Sequence, residues 1–205
     1  MISCRATNFV GKFSSRISPY RLTFSADSTY KYEYHEGLLY SHSSGRWAII
    51  GKRKIKLRSF YQDLTLPLNG QENISSQPAK DVALNIQIPI PSDVKNYFRC
   101  LIYINHRFFV EKTCDSISSV IVPSPVRSVQ IKITTDVRTP ALDKDTLVSS
   151  EYYPKGDYLK SINLSCTYNE SFFNYKIFNG DILNFSNGKL KFNNYKLFRN
   201  LKYKD

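Results

Sequence analysis

Residues 20–59, YRLTFSADSTYKYEYHEGLLYSHSSGRWAIIGKRKIKLRS, alternate apolar and polar side chains through three or four short runs separated by turn residues. Successive side chains of a strand point to opposite faces, so a period of two, interrupted at intervals, predicts an antiparallel β-meander. Leu22 and Phe24 share one face of a first strand, Tyr30, Tyr32 and Tyr34 one face of a second, and Ile55 and Leu57 one face of a last. Asp27 and Ser28 fall where the chain must reverse between Phe24 and Tyr30, and both side chains can hydrogen-bond their own backbone there. Gly45 stands where a residue free to take positive φ is useful, and Trp47 then opens a strand as a large core anchor.

After residue 62 the alternation stops. Residues 63–80, DLTLPLNGQENISSQPAK, gather Pro67, Asn69-Gly70 and Pro78 and read as a linker. Strand-like pieces at 81–90, 98–107, 108–114, 118–123 and 126–136 follow at spacings typical of a sandwich, which predicts an immunoglobulin- or transthyretin-like body over 81–137. Asn105-His106 is a candidate tight turn. Residues 138–156, with Pro140, Pro154 and Gly156, form a second connection, and 157–205 return to aromatic-rich alternation. There Asn179-Gly180 and Asn187-Gly188 are hairpin signals, because both central positions of a type I′ turn need positive φ, and they delimit strands at 172–178, 181–185 and 189–192. The predicted class is all-β, with no helix beyond about two turns. The meander of residues 1–62 is either completed by 157–205 or stands as the first of three successive sheets.

The chain has 29 Lys and Arg against 17 Asp and Glu, a net charge of +12. Residues 1–60 hold 11 basic against 3 acidic residues, residues 171–205 hold 7 against 2, and the middle holds 11 against 12, so the two basic ends are candidates for one body. No apolar run approaches the roughly 18 residues of a membrane-spanning helix. Within the basic run at 51–58, Lys54, Lys56 and Arg58 share one strand face while Ile55 and Leu57 share the other. That is the pattern of a solvated face over a core, and edge lysines also discourage sheet pairing. The same cations could track nucleic-acid phosphates, an anionic glycan or an anionic lipid.

The four cysteines, at 4, 100, 114 and 166, include no CxxC pair and no histidine at ligand spacing, so no zinc site, other metal or cofactor is predicted. Cys100 and Cys114 flank a predicted hairpin. A cross-strand disulfide is open to them in an oxidising compartment, with buried free thiols as the alternative. His35 and His42 read as neighbours of a loop and His106 as part of a turn. Glu33 and Glu36 flank His35, but no nucleophile elbow, HExxH pair or glycine-rich phosphate loop occurs. The absence of such motifs weighs against catalysis without closing the question, since dispersed carboxylates on a β-scaffold leave no linear signature.

Met1-Ile2-Ser3-Cys4 resembles the end of a bacterial lipobox, and the polar stretch before the first strand looks like the tether of a surface lipoprotein. A full signal needs a basic and an apolar segment upstream. Cys4 is therefore either the lipidated residue of a longer precursor or an ordinary residue near the terminus. The order of Asp27, Thr29 and Tyr30, then Gly45 and Trp47, then Ile55 and Leu57 is similar to that of the small β-rich lipoproteins of Bacteroidetes. This resemblance implies a lipocalin-like or related meander in the cell envelope, anchored to membrane, with no particular ligand. The expectation ranked first is a non-catalytic envelope lipoprotein with a binding or structural role. A nucleic-acid-binding β-protein, which would fit a cytoplasmic location, comes second, and a carbohydrate-active enzyme or carbohydrate-binding module third. A ligand is expected among Tyr30, Tyr32, Tyr34, Tyr40 and Trp47, rings that more often form core.

Overall fold

The structure, a computed structural model, describes residues 9–37, 39–90, 95–114, 117–135, 146–192 and 195–199. It is all-β. The chain divides into two units, the first taking the chain up to Asp63 and again from Asn174, the second beginning at Leu64 and ending at Phe173. The first unit opens with β1 (Gly11–Ser14), β2 (Tyr20–Phe24), β3 (Thr29–Glu36), β4 (Leu39–Gly51) and β5 (Lys54–Ser59). The second contains β6 (Leu68–Ile74), β7 (Asp81–Gln87), β8 (Phe98–Ile104), β9 (Arg107–Thr113), β10 (Ile117–Pro123), β11 (Val129–Thr135), β12 (Thr146–Val148) and β13 (Leu159–Cys166). The chain then returns to the first with β14 (Asn179–Ser186), β15 (Lys189–Phe192) and β16 (Tyr195–Arg199).

The first unit is a closed antiparallel barrel in the order β1-β16-β15-β14-β5-β4-β3-β2, an up-and-down, lipocalin-like arrangement. The meander expected at 20–59 supplies half of it. The remaining wall comes from β14–β16 and β1, so a partial barrel becomes a complete one. Two-residue parity explains the filling. On β5 the burial alternates strictly, with Ile55 and Leu57 sealed and Lys54, Lys56 and Arg58 in solvent. Phe13, Leu22, Phe24, Tyr30, Tyr32 and Trp47 meet Phe178, Leu190, Phe192 and Leu197 inside. An eight-stranded barrel has an interior just wide enough for side chains to fill, and here they do.

Three turns follow the residue chemistry closely. Asp27 Oδ1 accepts the Thr29 N–H at 3.0 Å and the Thr29 hydroxyl at 2.6 Å, while Ser28 takes a φ of 66°. Asn105 and His106 both have positive φ, as do Asn187 and Gly188, the type I′ requirement. Gly45 differs from expectation. It does not take positive φ; instead a Cβ there would lie 2.1 Å from the Arg58 carbonyl oxygen, so glycine is needed for the close approach of β5.

The second unit has two four-stranded sheets, β10-β7-β13-β6 and β12-β11-β8-β9. Its first two strands, β6 and β7, lie in one sheet and β8 in the other; β7 pairs in parallel with β13. Cys100 and Cys114 form a disulfide across the β8–β9 hairpin, and Cys166 is a buried free thiol, its pKa pushed up to about 11 by burial.

Several expected boundaries move. The linker expected at 63–80 contains β6, because its Asn and Gln face solvent while Leu68 and Gly70 face inward, and the Tyr152 ring occupies the space a Cβ at Gly70 would need. The sandwich is accordingly larger than 81–137. The connection expected at 138–156 holds β12, and within 157–205 the strand β13 belongs to the second unit; residues 136–145 lie outside those described. The strand expected at 172–178 is a short 3-10 turn over Glu170–Asn174 followed by an extended segment. Asn179-Gly180 makes a bulge inside β14, not a hairpin. His35 and His42 flank the β3–β4 connection as expected, on β3 and β4 themselves.

Two consequences are measurable. Buried Ser59 Oγ accepts the Phe178 N–H at 2.8 Å and meets the Tyr30 hydroxyl at 2.9 Å and Ser43 Oγ at 2.9 Å. Ser59→Ala leaves that N–H unpaired in the barrel wall and should cost about 2 kcal/mol in denaturant unfolding; a loss near zero would show that the contact is dispensable. In the second unit, burial raises the Glu72 carboxyl, but donation from the Tyr152 hydroxyl and the Lys155 and Gly156 N–H groups outweighs it and holds the pKa below the usual carboxylate range. Burial and Glu72 together push Tyr152 up to about 12. A pKa depressed on folding contributes stability above the unfolded-state value and loses it as pH falls through the folded-state value. Glu72→Gln should therefore cost about 1 kcal/mol at pH 7 and progressively less below about pH 4, and equal losses at both pH values would contradict this account.

Candidate ligand site at the barrel mouth

The strand directions gather four features at one end of the barrel. β5 and β14 run antiparallel with Asn184 opposite Lys54, so the β4–β5 turn at Gly51–Arg53 and the β14–β15 turn at Asn187–Gly188 lie side by side. The Phe185 N–H donates to the Arg53 carbonyl at 2.7 Å and joins the two turns. β16 ends at the same mouth with Arg199, and the chain enters β1 there after Phe9. Together they enclose a cavity of about 850 Å³, within the size range of ligand pockets.

Its floor is aromatic. Phe9 packs on Phe185 at 4.9 Å and on Trp47 at 6.3 Å between ring centroids, with Ile49 alongside. The rim is cationic, with Lys52 and Arg53 on one side and Arg199 on the other, and the lining has no acidic residue. None of these three cations forms an ion pair with another described residue. Arg199 stands directly opposite Phe13, so it shares the interior-facing parity of Phe13 and Leu197 but lies at the strand's open end. Its side chain crosses Gly11, where a Cβ would come within 3.0 Å of Nε. Glycine at that position, with a φ of 136°, makes the space that the arginine uses.

The electrostatics of the chain favour the same unit. The stretches up to Asp63 and from Asn174 carry 18 Lys and Arg against 6 Asp and Glu, while 64–173 carry 11 against 11. The whole net charge thus belongs to the barrel sequence. Lys54, Lys56 and Arg58 project from its outer wall beside Arg46, which is opposite Arg58.

The rings expected to hold a ligand divide. Tyr30, Tyr32 and Trp47 are no more than 5% exposed and are core, because they share inward parity with the aliphatic residues. Tyr34 is half-buried against Tyr20 and its hydroxyl donates to Glu36. Tyr40 remains on the outer wall in a ring series with His35, His42 and Tyr175. Burial, reinforced by Glu33, raises its pKa. No group of three or more His, Cys, Asp and Glu among the described residues could hold a metal. Cys4 lies outside the described residues. Sequence reasoning missed Phe9, Phe185 and Arg199; the continuation of inward parity from Leu197 to Arg199 was the signal, since a cation on a core face at a strand end marks a rim. No protein-family model, curated protein or solved structure matches the chain.

Proposed function

We propose that this chain is a non-catalytic, lipid-anchored binding protein of the cell envelope whose barrel mouth takes an anionic amphiphile. The observation that carries this reading is the mouth itself: three cations without carboxylate partners among the described residues, set over the rings of Phe9 and Phe185. Arginine offers paired N–H donors to a phosphate or carboxylate, and the rings accept an acyl or aryl portion. The filled barrel interior favours binding at the rim over binding within. The Cys100–Cys114 bridge favours an oxidising compartment. Cys4 precedes Phe9 by five residues, a reach of at most about 17 Å, so an anchor at Cys4 would keep the mouth near the membrane and its anionic headgroups.

Trp47 is the only tryptophan and stacks beneath the mouth through Phe9, which makes its fluorescence a reporter of occupancy. Titration with a short-chain phosphatidylglycerol should give a saturable change, and short-chain phosphatidylcholine should give none. The paired variant Lys52→Glu, Arg53→Glu should weaken binding by about ten-fold or more, with affinity in the unmodified chain falling as salt rises. Equal response to both lipids, or an unchanged response in the variant, would overturn the reading. Retention on DNA that is indifferent to Lys52 and Arg53 would direct it to nucleic acid instead.

A further inference from the structure

The solvent face of the sheet β10-β7-β13-β6 carries amides in register across its strands. Ser119 lies opposite Asn85, Asn85 opposite Asn163, and Asn163 opposite Gln71. In the neighbouring row Gln87 lies opposite Ser165, and Ser165 opposite Asn69. The first row is oriented by its own hydrogen bonds: Ser119 Oγ donates to Asn85 Oδ1 at 3.0 Å, and Asn85 Nδ2 donates to Asn163 Oδ1 at 2.8 Å. That leaves Asn163 Nδ2 and the entire side-chain amides of Gln71 and Gln87 without a hydrogen-bond partner among the described residues. These groups line a concavity of about 500 Å³ with no ionisable side chain.

We propose that this face binds a neutral glycan. A carboxamide presents one donor and one acceptor side by side, the same pairing that two adjacent sugar hydroxyls offer in return, so Gln71 and Gln87 can each engage a vicinal diol bidentately while Asn163 Nδ2 donates a single bond. Neighbouring strands are about 4.8 Å apart, close to the length of one pyranose ring, so amides in one row meet a sugar chain at intervals of about one residue. Full charge would bring desolvation cost with no counter-ion on an uncharged ligand, and the lining has none. The Asn85–Asn163 bond fixes two amides before the ligand arrives, which lowers the ordering entropy of binding. The site is on the second unit, whose stretch 64–173 has equal numbers of basic and acidic residues, and it does not depend on the reading of the barrel mouth.

The test uses the full chain in about 0.5 M NaCl, which suppresses charge-driven binding at the barrel. Linear hexasaccharides of glucose, mannose, xylose and galactose are titrated in turn, with amide NMR shifts as the readout. At least one should give saturable shifts in β6, β7 and β13, and Lys52→Glu, Arg53→Glu should leave them unchanged. Asn163→Ala should weaken that binding by about ten-fold or more. Should Asn163→Ala fail to fold, the paired variant Gln71→Ala, Gln87→Ala decides, because it removes amides with no described partner and leaves the packing intact. No saturation by any of the four sugars, saturation by an extended neutral peptide alone, or unchanged affinity in the Gln71 and Gln87 variant would overturn the proposal.

Discussion

The barrel depends on a chain that leaves it at Ser59 and must find its wall again at Phe178. A strand that returns after more than a hundred residues has no turn to set its register, so register must come from the site of re-entry. The Ser59 hydroxyl supplies that fix by accepting the Phe178 N–H and meeting Tyr30 and Ser43. Parallel contacts just before it reinforce the slot: the Lys176 N–H donates to the His42 carbonyl at 2.8 Å, and the Tyr175 hydroxyl donates to the Ser44 carbonyl at 2.7 Å. Once Phe178 is seated, β14 meets β5 with Leu183 opposite Ile55, both inward, and the hairpins that follow carry β16 to β1.

A buried polar cluster is costly unless every member is paired. Tyr30, Ser43 and Ser59 satisfy one another and a backbone N–H, which fixes four strand segments at once. Burial accordingly raises the Tyr30 pKa against the lowering effect of its two serine partners. An apolar residue at Ser59 would pack, but it would not distinguish the native register from one slipped by a residue.

Much of this architecture was legible because strand parity is a local property. Leu22, Phe24, Ile55 and Leu57 go inward and Lys54, Lys56 and Arg58 go outward for the same reason that their sequence alternates. What escaped reading depends on partners far away in sequence. β6 looks like a linker because its outward residues are Asn and Gln and its inward Gly70 serves Tyr152, eighty-two positions on. Asn179-Gly180 has turn chemistry, yet Gly180 with φ of 89° forms a bulge under Lys56. Gly45 reads as a turn residue because sequence cannot show the Arg58 carbonyl against it. The rim of the mouth was legible only at Arg199, through its parity with Leu197; Phe9, Arg53, Phe185 and Arg199 are brought together only when the barrel closes.

The distribution of rings along the barrel bears on what its mouth can accept. At the end where the chain leaves and returns, hydroxylated rings are interleaved with Phe178 and Phe192: Tyr30 packs on Phe178, and Tyr20 packs on Tyr32, Tyr34 and Phe192. Beneath the mouth they are Phe9, Phe13, Phe24, Phe185 and Trp47, linked by centroid distances of 4.9 to 6.3 Å, and the Trp47 N–H is already committed to the Ser25 carbonyl. A polar ligand group pushed below the rim would therefore lose water and find no partner, a penalty of about 1–3 kcal/mol for each group. An apolar chain meets no such cost, while its anionic end is matched by the cations above. A mouth that binds as proposed would thus discriminate by depth, with charge read at the rim and polarity excluded beneath it.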